Sequence, residues 1–199
     1  MNDHYFTAAP TSPSDPRVRR VEALGLTMDF ETDSGVFSKD GLDEGTRLLL
    51  ENLPACGGRF LDLGCGWGPL GAFFAAKNPG ANALLTDVNE RAVALSQKNL
   101  ARNRVANARA LVSDGFAAIE GTFDLIATNP PIRAGKQVIY PLFDEAFARL
   151  RAQGALFVVI RKQQGAESAK RHLEELGSTA LIDKHKGFWI LRLGKDENT

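Results

Sequence analysis

Residues 61–71 read Leu-Asp-Leu-Gly-Cys-Gly-Trp-Gly-Pro-Leu-Gly, and their spacing suits the holding of a nucleotide-like ligand. Asp62, Gly64, Gly66 and Gly68 fall at every second position. Glycines let the main chain approach a ligand closely, and a helix beginning near Pro69 would offer it unpaired N–H groups. Gly66-x-Gly68-x-x-Gly71 also matches the dinucleotide fingerprint, so the glycines by themselves suit NAD and S-adenosylmethionine alike. A bare strand-to-helix turn is the plainer reading, but alternating glycines cost backbone entropy that such a turn does not require. Asp87 follows about twenty residues on, where an acid can accept from both hydroxyls of a ribose. It also suits a turn before Asn89. Asp114, in Ser113-Asp114-Gly115-Phe116, could accept from an adenine amino group or serve as an ordinary turn residue.

A second stretch, Asn129-Pro130-Pro131-Ile132, separates the chemistries that the glycines leave open. Two successive prolines after a buried strand hold the Asn129 side-chain oxygen and nearby carbonyls as acceptors with little freedom. An NH2 group gripped by two acceptors keeps its nitrogen lone pair aimed at an electrophile. Hydride transfer has no use for that arrangement. The bland alternative is a proline turn at a sheet edge.

These groups need elements to bring them together. From Phe60 onward the pattern alternates between short apolar runs and helical periodicity. Strands are expected at Leu61–Leu63, Ala83–Thr86, Ala110–Val112, Phe123–Thr128 and Ala155–Ile160, followed by a hairpin of Leu181-Ile182 and Phe188–Leu193 around Lys184–Gly187. Helices are expected at Leu70–Lys77, from an Asn89 cap to about Asn103, at Ile139–Leu150, and around Ala169, Leu173 and Leu176 up to Gly177. On the second of these, Arg91, Lys98 and Arg102 form a basic stripe, read as a solvated face before a binding surface. Upstream, Leu24–Phe30 alternates as a half-buried strand, and Asp40 can cap a helix that carries Asp43 and Glu44 in its first turn. Residues 2–20, with their prolines, read as an irregular arm in which Tyr5 and Phe6 pack on the body or cover a ligand, the plainer alternative being a loose tail; Arg17, Arg19 and Arg20 would meet phosphate or solvent. The implied organisation is an arm over residues 1–22 and one α/β domain over 23–199. Its parallel sheet would have one antiparallel strand and place Gly64–Gly68, Asp87, Asp114 and Asn129 along the carboxyl edge.

Composition bounds the partners. With 199 residues, 44% hydrophobic and 24% charged, the chain reads as one soluble globular domain. The formal net charge is zero, so any nucleic-acid contact must rest on local basic patches. The two cysteines, Cys56 and Cys65, read as free thiols of a reducing cytoplasm, with no metal site. No stretch reads as a secretory signal or a membrane span, so the expected location is cytoplasmic.

The ordered motifs Asp62-Leu-Gly64-Cys-Gly66-Trp-Gly68, Asp87, Asp114 and Asn129-Pro130-Pro131 resemble those of class I S-adenosylmethionine-dependent methyltransferases that act on amines. More narrowly, His4-Tyr5-Phe6, Gly35-Val36-Phe37-Ser38, Asn129–Lys136 and Arg161-Lys162-Gln163-Gln164-Gly165 resemble the small-domain ribosomal RNA guanine-N2 methyltransferases. The resemblance implies a Rossmann-like, seven-stranded, mostly parallel sheet with the last strand antiparallel. It implies S-adenosylmethionine as cofactor, with Gly64, Gly66 and Gly68 beside its methionine part, Asp62 near its amino group, Asp87 on the ribose and Asp114 near the adenine. Asn129 and Pro130, backed by Pro131, would hold the target amine, and ribosomal RNA or the small subunit would be the partner. Ile132 departs from the pattern, since many relatives have there an aromatic ring that stacks on the target base. Phe37 or Tyr5 would supply the ring instead, or belong to the core. Arg133 and Lys136 are either phosphate contacts or ordinary loop charges. Adenine N6, a protein glutamine amide, or a non-catalytic RNA-binding role in assembly are the competing functions.

Overall fold

The structure is a computed structural model and describes residues 13–36, 38 and 41–196. Strands β1 (Arg17–Ala23) and β2 (Leu26–Thr32) pair as an antiparallel hairpin, Arg17 opposite Thr32 and Ala23 opposite Leu26. Leu24 and Gly25 both take positive φ, 51° and 70°, which lets a two-residue loop follow the twist of the strands. The irregular reading of residues 2–20 therefore fails from Arg17 onward. In Arg-Val-Arg-Arg-Val-Glu-Ala only Val21 and Ala23 are buried, too sparse an alternation to announce a strand. Arg17 and Arg20, considered above as phosphate contacts, pair with Asp15 and Asp29 in exposed bridges. Tyr5 and Phe6 lie outside the described residues.

Helix α1 (Glu44–Asn52) is capped by Asp43, whose carboxylate accepts from the Thr46 N–H at 3.1 Å. The expected cap, Asp40, lies outside the described residues, and the helix starts later than the charge pattern suggested. The chain then runs β3 (Arg59–Leu63), α2 (Pro69–Lys77), β4 (Asn82–Asp87), α3 (Glu90–Arg102), β5 (Ala108–Val112) and β6 (Phe123–Thr128). A 3-10 turn (Ile132–Ala134) leads into α4 (Lys136–Ala148), then come β7 (Leu150–Arg161), α5 (Ala166–Leu176), β8 (Ser178–His185) and β9 (Phe188–Gly194). The helix expected from Ile139 thus begins at Lys136, because Gly135 at φ 85° turns the chain directly out of the 3-10 turn.

Strands β3 to β9 form a seven-stranded sheet in the order β5-β4-β3-β6-β7-β9-β8. The pairs β3–β4, β4–β5, β3–β6 and β6–β7 are parallel, and β9 runs against both of its neighbours. This is the predicted Rossmann-like α/β sheet with its last strand reversed. Alternation along the strands feeds two cores. Phe60, Phe157 and Val159 pack with Phe73 and Phe74 of α2 on one face. Leu61, Leu156 and Val158 pack with Phe143 of α4 and Leu173 of α5 on the other.

The hairpin is docked on α3 by side-chain amides. Asn99 accepts from the Glu31 N–H at 2.7 Å and donates to the Glu31 and Trp67 carbonyls at 2.9 Å each. Asn103, at the end of the helix, does the same for Asp29, 3.0 Å each way. Residues four apart on a helix thus match residues two apart on a strand, and the open edge of β2 is closed. The basic stripe belongs to this dock. Lys98 and Arg102 reach Glu31 at 3.1 and 3.4 Å, and Arg91 donates to the Ser34 carbonyl at 2.7 Å. Lys98 and Arg102 remain solvent-exposed, as expected of a solvated face, while also pairing with Glu31 of the hairpin.

Candidate active site

Parallel strands end along one edge of the sheet, and there the predicted residues gather around a cavity of about 1990 Å3. Among its lining residues are Asp62, Gly64, Gly66, Asp87, Asp114, Asn129, Pro130, Pro131 and Ile132. Pockets for one small ligand run to roughly 300–1,000 Å3, so a cofactor and part of a second molecule have room side by side.

The glycine turn is held from behind. Gly64 and Cys65 both donate their N–H to the Thr86 carbonyl at 2.8 Å, and Gly66 donates to Asp87 Oδ2 at 2.9 Å. Gly64, Gly66 and Gly68 have φ of 79°, 56° and 88°, a left-handed region that side chains rarely adopt. Their uses differ. A Cβ on Gly64 or Gly66 would stand in open space, so these two leave room on the cavity side. A Cβ on Gly68 would lie 2.7 Å from Ser96 Oγ, and Gly68 does not line the cavity; it lets the turn pack on α3.

Two carboxylates flank this turn. Asp62 is 3% exposed and accepts from the Gly71 N–H at 2.9 Å, capping α2 across from the strand because Gly68 has no side chain to do so. Burial pushes its pKa up to about 7, opposed by that hydrogen bond and reinforced by the Asp87 charge. Burial also raises the Asp87 pKa, against N–H donors from Asn89, Gly66 and Val88. Asp87 Oδ2 accepts from Gly66 and Oδ1 from Asn89, both at 2.9 Å, and with Val88 as a third donor the carboxylate still has a lone pair for one more. Both the turn role and a ligand role are therefore open to it at once. Asp114 is exposed at the rim, followed by Gly115, where a Cβ would touch Leu142 of α4 at 2.8 Å. Two carboxylates with no cationic partner among the described residues, beside main chain that a Cβ would obstruct, fit a ligand that carries positive charge and hydroxyl donors. S-adenosylmethionine has both.

Asn129 follows β6 directly. Its Nδ2 donates to Thr46 Oγ1 at 2.9 Å and to Asp43 Oδ1 at 3.3 Å, both at the start of α1. With the amide nitrogen engaged twice, Oδ1 is turned away from α1. The Pro130 carbonyl accepts from the Ile132 N–H at 2.8 Å and retains one lone pair. Ile132 is half-buried on the cavity wall. Of the other expected substrate contacts, Lys136 lies off the cavity with its ammonium 6.0 Å over the Tyr140 ring, and Arg133 falls in the 3-10 turn. The Arg133 side chain and Phe37 lie outside what is described.

Sequence reasoning passed over Asp43 and Thr46 as site residues. Their signal was present as Asp-x-x-Thr at a helix start, but it reads as a cap and names no distant partner. It also passed over Phe188, which lines the cavity beside Asp43 and Glu44.

Comparison with known proteins follows the same lines. The family described as methyltransferase small domain matches residues 27–192. The protein YbxB of Bacillus subtilis (strain 168), described as uncharacterized, is 40% identical over 200 residues, 98% of this chain and 100% of that protein. Ribosomal RNA small subunit methyltransferase C of Actinobacillus succinogenes is 45% identical over 130 residues, 63% of this chain and 39% of that protein. Among solved structures, the T. thermophilus 16S rRNA N2 G1207 methyltransferase (RsmC) in complex with AdoMet and guanosine superposes with a TM-score of 0.83 at 30% identity, over 94% of this chain and 52% of that one. The chain thus spans the whole of the Bacillus relative but only about half, or less, of these ribosomal RNA methyltransferases.

Proposed function

The chain belongs to the methyltransferase small domain family, and from that premise we propose that it methylates the exocyclic N2 of a guanine in ribosomal RNA. Family and fold make it an S-adenosylmethionine-dependent methyltransferase of Rossmann-like α/β architecture. The substrate assignment goes further. It draws on the T. thermophilus enzyme, which is described as acting on G1207 N2 of 16S rRNA.

The observation that carries the reading is the doubly anchored amide of Asn129 at the cavity, fixed from below by Thr46 and Asp43 and from behind by two prolines. Bound S-adenosylmethionine supplies an electrophilic methyl on a sulfonium. The chain contributes placement. Asn129 Oδ1 and the free lone pair of the Pro130 carbonyl accept from the target NH2 and hold it in one orientation. Asp87 accepts from ribose hydroxyls, Asp62 faces a positively charged amino group, and Asp114 takes the adenine end. The buried walls formed by Val36, Leu70 and Phe116 exclude water.

The test is titration with S-adenosylmethionine followed by transfer of labelled methyl to ribosomal subunits from a strain lacking the gene. Binding, with label on guanine N2, is expected. Label on adenine N6, on a glutamine amide, or nowhere in the RNA would overturn the substrate assignment. Asn129→Ala should lower kcat about 100-fold or more while cofactor affinity stays within about twofold. Equal loss of both would remove Asn129 from this role.

A further inference from the structure

The cavity holds more negative charge than its cofactor half explains. Its described lining includes Asp43, Asp62, Asp87, Asp114 and Glu145, together with Glu44, which is paired with Lys186, against a single lining cation, Arg161. Such a wall repels phosphate and admits a nucleotide base-first. It also raises the question of what receives that base, because Ile132 offers no ring.

Arg161 ends β7, the neighbour of the strand that Asn129 follows, and is paired across the sheet with Phe188. Its guanidinium carbon lies 4.3 Å over the centroid of the Phe188 ring. The Phe188 ring in turn lies against the start of α1; a Cβ on Gly45 would be 2.9 Å from its edge. Gly45 sits between Asp43 and Thr46, the two anchors of Asn129. Arg161 is exposed, and among the described residues no carboxylate pairs with it. The Arg161 cation therefore lies over an aromatic ring that packs on the helix start carrying both anchors of Asn129.

The geometry points to Arg161, seated on Phe188, as the platform on which the target base stacks, in place of the ring that Ile132 lacks. The inference rests on the proposed action on a base amine and names the residue that selects a planar base. Guanidinium planes stack on bases as aromatic rings do, and the exposed Arg161 guanidinium, backed by the Phe188 ring, offers such a plane.

Charge and shape can be separated by substitution. Arg161→Ala removes both, whereas Arg161→Lys keeps the charge and removes the plane. Arg161 is exposed, so neither substitution should affect folding. The measurements are the dissociation constant of guanosine with S-adenosylhomocysteine present, and KM and kcat for an RNA substrate. Stacking on a base is typically lost at about 5- to 150-fold on alanine substitution. Both variants are expected to weaken guanosine by that factor and to raise KM for RNA, with cofactor affinity unchanged. An Arg161→Lys protein that behaves as wild type would overturn the platform in favour of a simple charge contact. So would two variants that bind guanosine normally, or a wild-type protein that binds none. Guanosine binding that depends on Arg161, without methyl transfer to RNA, would keep the platform and reject the ribosomal RNA substrate.

Discussion

Thr46 and Asp43 govern which way Asn129 points, and the direction of an amide decides whether it can hold an NH2 group. A carboxylate oxygen can only accept, so the Asp43 contact requires the Asn129 nitrogen on that side and leaves Oδ1 on the other. Thr46 Oγ1, the shorter contact at 2.9 Å, takes the second N–H. Asp43 is also the cap of α1, so the same carboxylate fixes the helix start and the amide. Thr46→Val keeps the shape and removes the acceptor. Its stability cost should be about 1 kcal/mol, the usual price of one side-chain hydrogen bond. Its effect on kcat should be larger, about tenfold or more, because misplacing a positioned group is costly to turnover. Cofactor affinity should not change. A wild-type kcat in Thr46→Val would show that the prolines suffice to orient Asn129.

Elements act here as brackets for the cavity wall. Strand β2 is held to α3 by Asn99 and Asn103, and the segment after it is held by Asn89, which donates to the Gly35 carbonyl at 2.9 Å and caps α3. Val36, 1% exposed, is laid against the cavity by that contact. Asn99→Ala would take one partner from the Glu31 N–H and from the Glu31 and Trp67 carbonyls at a part-buried place. About 2–4 kcal/mol of stability should be lost, from three hydrogen bonds at roughly 1 kcal/mol each plus desolvation. Asn103→Ala, at a more open position, should lose less. Urea unfolding measures both, and hydrogen exchange should speed up at Glu31 in the first variant and Asp29 in the second. Equal stability losses, or exchange unchanged at these amides, would mean that the apolar contacts of the hairpin dock it unaided.

Taken as a whole, the molecule has no net charge but an acidic cavity at the carboxyl edge of its sheet. That concentration has a consequence for stability. Asp62 has a folded pKa of about 7, above its unfolded value near 3.8, so the native state binds a proton that the unfolded chain releases. Its contribution is full below about pH 4 and is lost as pH rises through about 7. The raised pKa of Asp87 acts in the same sense, whereas Asp33, held low by Ser14, Asp15 and Ser34 donors despite burial, loses its contribution only as pH falls below the carboxylate range. Unfolding of the ligand-free protein should therefore become easier between pH 5 and pH 7.5, with a smaller change in Asp62→Asn, whose amide oxygen can still accept from Gly71. The same slope in both proteins would place the titration elsewhere. No helix among the described residues is long and apolar enough to cross a membrane.

Much of this protein is written locally in its chain. Alternating glycines after an apolar run dictate a sharp strand-to-helix turn, paired prolines stiffen the chain after Asn129, and the regular exchange of strand and helix periods dictates a layered parallel sheet. Such signals act over a few residues, and they determined the fold class, the order of the elements from β3 onward and the gathering of Asp62, Asp87, Asp114 and Asn129 at one edge. The tertiary structure alone decided the rest. Asn129 meets Thr46 across 83 positions and Asn99 meets Glu31 across 68, while Arg161 comes to lie on Phe188 through strand pairing. It turned a basic stripe into a dock for the hairpin, and it gave Gly68 to packing and Gly66 to the cavity. The physical reason is the range of the forces. Backbone preference and apolar periodicity are properties of neighbouring residues, whereas the partner of a buried amide or guanidinium is whatever group the closed fold brings within 3 to 4.5 Å of it.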